Sequence, residues 1–165
     1  MTATEDQTAT LRALTDRAEI TALFDRFFVT LDTHDEATHD DDWYRTIFTE
    51  DVRLRFPIGG HEGVAGCADL ETKAKGNWER THHVGANYVM DIDGDHATLR
   101  AQVLATHVHF PSGDRPRPHF AMGGYYDAEA VRTGDGWRFR LLALHVAWTS
   151  GEPLTPDLGK AEVLH

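Results

Sequence analysis

The chain of 165 residues carries 27 acidic against 16 basic side chains, a formal charge of -11. That length suits one domain burying about two-thirds of the surface its unfolded chain exposes. The charge argues against nucleic acid and anionic membrane partners, which need clustered Lys and Arg, and leaves a small molecule or a protein. A single cysteine, Cys67, permits no internal disulfide and no thiolate metal site, and is read as a small buried apolar residue. The N-terminus lacks a basic segment followed by an apolar core, and no run of about eighteen apolar residues occurs, so a cytoplasmic protein is expected.

In chain order, residues 1–14 are polar, Thr-rich and aperiodic, and read as a mobile arm ahead of one domain spanning 15–149. Asp16 with Glu19 matches a capping box, and Ile20, Leu23, Phe24, Phe27, Phe28 and Leu31 fall on one helical stripe. After the acidic run from His34 to Asp42, "WYRTIF" reads as a short helix, Val52 to Arg55 as a short strand, and residues 63–76 as a third helix interrupted by Gly66. The period then changes from helical to two-residue. Strands are expected at Thr81 to Ile92, Ala97 to Phe110, His119 to Arg132 and Trp137 to Trp148, joined by "DGD", "PSGDRPRP" and "TGDG". Helices first and an antiparallel sheet second define an α+β fold. Residues 150–165 read as a tail lying on the surface or on a neighbouring subunit.

Several residues could carry chemistry. His107 shares the apolar parity of Ala97, Leu99, Ala101, Val103 and Ala105, whose small side chains suit a cavity; the alternative is a core histidine bonded to backbone. His82 and His83 stand at a strand entrance. Simple alternation points His82 inward, while a bulge at Gly85 would select His83, and the residues leave both open. Asp32 ends the first helix, against the negative pole of its dipole, either as a solvated acid or as a carboxylate holding a histidine. The spacing of His34 and His39 among acids matches no metal template and reads as a solvated loop. No phosphate-binding glycine loop and no Gly-x-Ser-x-Gly motif occurs.

The segments "DRAEITALFDRFFVTLD", "WYRTIFTEDVRLRF", "THHVGANYVMDIDGDHATLRAQVLATHV" and "YYDAEAVRTGDGWRFRLLALHVAW" resemble the SnoaL-like branch of the nuclear transport factor 2-like superfamily. The resemblance implies a cone-shaped α+β barrel, a strongly curved, mostly antiparallel sheet closed by N-terminal helices around an apolar pocket. Its active-site pattern is similar to that of scytalone dehydratase and hexachlorocyclohexane dehydrochlorinase, and places Asp32, His83 and His107 as catalytic residues. Phe28, Tyr44, Phe56, Tyr126 and Trp148 are the candidates for substrate contact. Leu31 and Phe56 stand where the dehydratase has two carbonyl-polarising tyrosines, and its pocket asparagine falls near Tyr125 or Tyr126. The implied function is a lyase of dehydratase type, with no cofactor or metal, acting on a small apolar, polyketide- or steroid-like substrate. An isomerase or polyketide cyclase, or a non-catalytic binder of hydrophobic ligands, are the alternatives. A homodimer or homotrimer is expected.

Overall fold

The computed structural model describes residues 3–33, 39–57, 59–112 and 117–154. Three helices, α1 (Ala3–Asp32), α2 (Asp41–Tyr44) and α3 (Cys67–Lys75), accompany strands β1 (Phe48–Phe56), β2 (Gly59–Glu62), β3 (Arg80–Asp93), β4 (His96–Val108), β5 (Phe120–Thr133) and β6 (Gly136–Ser150). The six strands run in the order β2-β1-β6-β5-β4-β3. All neighbours are antiparallel except β1 and β6, which are parallel. The α+β fold, a curved and mostly antiparallel sheet with N-terminal helices, is as expected, and among the described residues β2 and β3 are its edge strands. α1 lies in its concave face, where Phe24 packs on Phe139 and Tyr88, and Phe27 on Phe48.

Alternation along β4 and β5 supplies the apolar lining. Ala97, Leu99, Ala101, Val103 and Ala105 are buried against Ala130, Ala128, Tyr126, Gly124 and Met122 of β5. The rings of Phe24, Phe27, Phe28, Tyr126 and Phe139 pack in the same core, so aromatic side chains from α1 take up much of the volume those alanines leave. Register shifts in β3, in β6 opposite two sites on β5, and between β1 and β6 bend the sheet around the helix.

Several expectations are corrected. The helix starts at Ala3, so residues 3–14 are helical rather than aperiodic, and Thr8 and Thr10 hydroxyls donate to the carbonyls of Thr4 and Asp6 one turn back. Asp16 therefore lies inside the helix and caps nothing; it is buried and pairs with Arg132. The second helix is only Asp41–Tyr44, β1 is longer than foreseen, and β2 was unforeseen. α3 starts at Cys67 because Gly66, at φ +88, has a left-handed conformation outside the helix. The bulge in β3 falls between Ala86 and Val89, where Asn87 has φ +54, and not at Gly85. The third and fourth long strands closely follow their expected limits, and β6 continues to Ser150. Residues 34–38 and 155–165, which hold part of the acidic run and most of the proposed tail, lie outside the described residues.

Candidate active site

Asp32 is the last residue of α1, and His83 lies near the start of β3. The pairing of β3 with β4 decides the histidine question. His83 is opposite Ala105, on the concave face, whereas His82 is opposite Thr106 on the other. Asp32 then holds His83 twice: the His83 backbone N–H donates to Oδ2 at 2.7 Å, and ring Nδ1 lies 2.7 Å from Oδ1. Burial raises the Asp32 carboxyl, but the hydrogen bonds from the His83 ring and backbone outweigh it and hold the group below the usual carboxylate range. An ionised acceptor requires Nδ1 to be the donor, which leaves the Nε2 lone pair free.

The surroundings fix this pair. Phe28 lies parallel to the His83 ring, with a 3° interplanar angle and 6.2 Å between centroids. A Cβ on Gly85 would collide with the Phe28 ring and the Tyr88 hydroxyl, so this position accommodates no larger residue without displacing them. The Thr81 hydroxyl donates to the Leu31 carbonyl at 2.9 Å, fastening β3 to the end of α1. α1 has no basic residue in its last turn. Lys75 of α3 supplies the missing cation, donating through Nζ to the carbonyls of Thr30 and Thr33 at 3.3 and 3.0 Å. That offsets the unfavourable placement of an acid at the negative helix pole. Solvent reaches both members, whose side chains are 22% exposed for Asp32 and 10% for His83.

His107 meets His83 edge-on, with centroids 5.6 Å apart, and also packs on Trp78 and Phe120. Burial, then the neighbouring His83, pushes its pKa down to about 4, so the ring is neutral at neutral pH. Its Nδ1 is buried without a hydrogen-bond partner among the described residues. His109 is also buried, and its Nε2 lies 2.6 Å from the Glu152 carbonyl, anchoring the segment after β6.

The other expected contacts divide. Phe28, Phe56 and Tyr126 gather near the pair: Tyr126 is 5.8 Å from Phe28 and 6.5 Å from Phe56, centroid to centroid. Tyr44 is buried in α2, stacked on Phe48, with its hydroxyl unpartnered among the described residues. Trp148 does not join them. A register shift between its pairing with Gly123 and that of Val146 with Gly124 turns it to the outer face, where it lies over Gly123 and is 49% exposed. His145 is on that outer face as well, stacked on Tyr125 and 3.4 Å from Asp127. Among the acids of the run leading into α2, Asp40 caps the helix and Asp41, its first residue, accepts from the backbone of Gly66 and Ala68 at the start of α3. No group of three possible metal ligands occurs among the described residues.

Sequence reasoning missed Trp78, Lys75 and Glu71. Glu71 is buried on the same face of α3 as Cys67, four residues earlier, and that spacing was its available signal. No described helix is long and apolar enough to cross a membrane.

Comparison with known proteins agrees with this architecture. The Kfla4162 protein of Kribbella flavida superposes with a TM-score of 0.73 at 32% identity, over 84% of this chain and 95% of that one. A protein assigned as a scytalone dehydratase from Novosphingobium aromaticivorans gives 0.73 at 21% identity, over 88% and 93%. A type 2 hexachlorocyclohexane dehydrochlorinase gives 0.73 at 20%, over 88% and 95%. An uncharacterised Mycobacterium tuberculosis protein is 32% identical over 94 residues, which span 56% of this chain and 62% of that protein's length. The SnoaL-like domain model matches residues 12–143, and the chain belongs to that family.

Proposed function

We propose that the protein is a lyase of dehydratase type that uses the Asp32–His83 pair for proton abstraction and elimination on a small apolar substrate. The observation that carries this reading is the double hydrogen bond that orients His83 through its backbone N–H and Nδ1, with the ring beside Phe28 and His107 and no hydrogen bond to Nε2 among the described residues. Nε2 removes a proton from carbon next to an electron-withdrawing group. Asp32 holds the tautomer and stabilises the imidazolium that forms. His107, neutral at neutral pH, donates a hydrogen bond to the developing enolate; the bond from the β-carbon to its leaving group then breaks, and the proton held by His83 passes to a departing hydroxide, which leaves as water, or to solvent where a halide leaves. None of these steps calls on a cofactor. Two fold relatives bear names of the elimination type, scytalone dehydratase and hexachlorocyclohexane dehydrochlorinase.

The test is twofold. Scytalone and hexachlorocyclohexane are assayed for elimination, and 2-tetralone in deuterated water is assayed for exchange of its α-protons. Exchange by the wild type that disappears in His83→Ala supports the reading. Equal exchange in both proteins overturns it. Exchange without elimination favours the isomerase or cyclase alternative, which uses the same proton abstraction. The binder alternative draws on the burial of Phe24, Phe28 and Met122 in the core, and it predicts ligand uptake with no exchange at all.

We also infer a homodimer or homotrimer formed through the outer sheet face, where Val84, Leu104 and Trp148 are exposed side by side around a groove of about 260 Å³. A monomer mass of 18.5 kDa in light scattering at micromolar concentration would overturn this.

A further inference from the structure

Lys75 closes α3 in sequence, but the carbonyls at that end are served by the residues that follow it. The Gly76 N–H donates to the Thr72 carbonyl at 2.9 Å, and Asn77 Nδ2 donates to that of Lys73 at 3.0 Å. The Lys75 ammonium is thus not spent on its own helix, where a terminal cation is ordinarily useful. It crosses to α1 and bridges the carbonyls of Thr30 and Thr33. Those carbonyls bracket Asp32, one within its last turn and one just past the helix end. The Leu31 carbonyl between them takes the hydroxyl of Thr81, the β3 residue that faces inward ahead of His83. The Thr33 N–H and hydroxyl both return to the Val29 carbonyl. The backbone on either side of Asp32 is therefore tied down, by α3 on one side and β3 on the other. Such ties matter here, because the last turn of a helix has unpaired carbonyls that repel a carboxylate and let the turn fray. A 2.7 Å bond from Asp32 to the His83 ring requires that turn to stay in place. Trp78, in the same connection from α3 to β3, packs on His107 at 4.8 Å, so this connection borders both the pair and its neighbour.

We propose that Lys75 is a positioning residue for proton abstraction. It acts through Asp32 rather than on the substrate: by bridging the chain across Asp32 it pins the carboxylate against His83, keeping Nδ1 as the donor and Nε2 as the base. This inference rests on the proton-abstraction reading and extends its machinery to α3, an element that contributes no side chain to the pair itself.

The test pairs Lys75→Met with Asn77→Ala, which removes a hydrogen bond from the end of the same helix without reaching α1. Both are expected to lower the denaturant midpoint. Lys75→Met alone should slow 2-tetralone exchange per folded molecule, by about tenfold, the size one interaction at a helix pole supports. The loss should fall in kcat, with KM little changed. In NMR spectra the Nδ1 proton of His83 should move upfield as its bond to Asp32 weakens. Lys75→Arg, which can still bridge two carbonyls, should recover both the rate and the proton signal. Unchanged exchange or an unmoved Nδ1 proton in Lys75→Met overturns the proposal, as does a failure of Lys75→Arg to recover them. Equal slowing in Asn77→Ala also overturns it, because the effect would then be one of helix stability. Should Lys75→Met fail to fold, Lys75→Gln, uncharged and one bond shorter, replaces it with the same expected results. Failure of the catalytic reading looks different: His83→Ala would exchange as fast as the wild type, and the Nδ1 proton in the Lys75 variants would then decide alone.

Discussion

Asp16 and Asp32 lie on the same helix and face the same sheet, yet the first is paired with an arginine and the second with a histidine, in the pair we propose to be reactive. Asp16 is 7% exposed and meets the Arg132 guanidinium at 2.6 Å, with the Trp137 indole N–H donating at 3.2 Å. Arg132 also reaches Asp95 at 2.9 Å and lies over the Trp137 ring at 4.5 Å. A guanidinium keeps its protons at any working pH, so this end is a permanent clamp of α1 onto the hairpin ends. Asp32 instead meets an imidazole, which can take and release a proton and keeps a free nitrogen. A buried acid and a partly buried one on the same helix thus differ in the titratability of their partners as well as in their own burial.

The largest effect that would break this comparison is catalytic. Asp32→Asn should lower 2-tetralone exchange by about 10²–10⁴-fold, with a modest change in the denaturant midpoint. Asp16→Asn should do the reverse. It is expected to cost about 2–3 kcal/mol of stability, since Arg132 keeps Asp95 but loses its buried partner, while exchange per folded molecule is unchanged. Similar profiles for the two variants would dissolve the distinction.

The next effect concerns pH. His107 has a folded pKa depressed from 6.5 to about 4, so the unfolded chain binds more protons between those values. Stability should therefore fall as pH drops from 6.5 to 4, by on the order of 3 kcal/mol from this group. Asp32 and Asp16, both lowered, add to the loss at still lower pH, as acid protonates them. His107→Phe should flatten the upper part of that slope in melting curves taken across the range, and a slope equal to the wild type's would remove His107 from the account.

Smaller effects sharpen the description of the reactive end. Gly85→Ala should cost about 1–3 kcal/mol through overpacking against Phe28 and Tyr88, and it should slow exchange by moving the ring that backs His83. Lys75→Met should cost about 1 kcal/mol by uncovering the carbonyls of Thr30 and Thr33. Chemical denaturation measures both.

Legibility in the sequence followed the range of the interactions. The core stripe of α1 and the tight turns before Gly94 and Gly136 are local patterns, and both helix and hairpins form where the residues indicate. Residues 3–14 have no apolar stripe to betray a helix, which continues there through backbone bonds and threonine hydroxyls. Asp16 mimicked a cap because its true partner, Arg132, is distant in the chain. Parity failed wherever a bulge intervened. The one in β3 sits at Asn87, a residue type that tolerates positive φ, rather than at the glycine two positions earlier. The one in β6 carries Trp148 outward although Leu144 and Val146 would alternate it inward. The residues alone left His82 and His83 undecided; the family resemblance pointed to His83, and the pairing with Ala105 places it on the concave face.

The central claim, that Asp32 holds His83 as an Nδ1–H tautomer with Nε2 free to accept a proton, is read directly by 15N NMR of the His83 ring in the wild-type protein at a pH where the ring is neutral. The account predicts a protonated Nδ1 in a strong hydrogen bond and an unprotonated Nε2, with that preference lost in Asp32→Asn. A proton resident on Nε2, or a tautomer indifferent to Asp32, would contradict it.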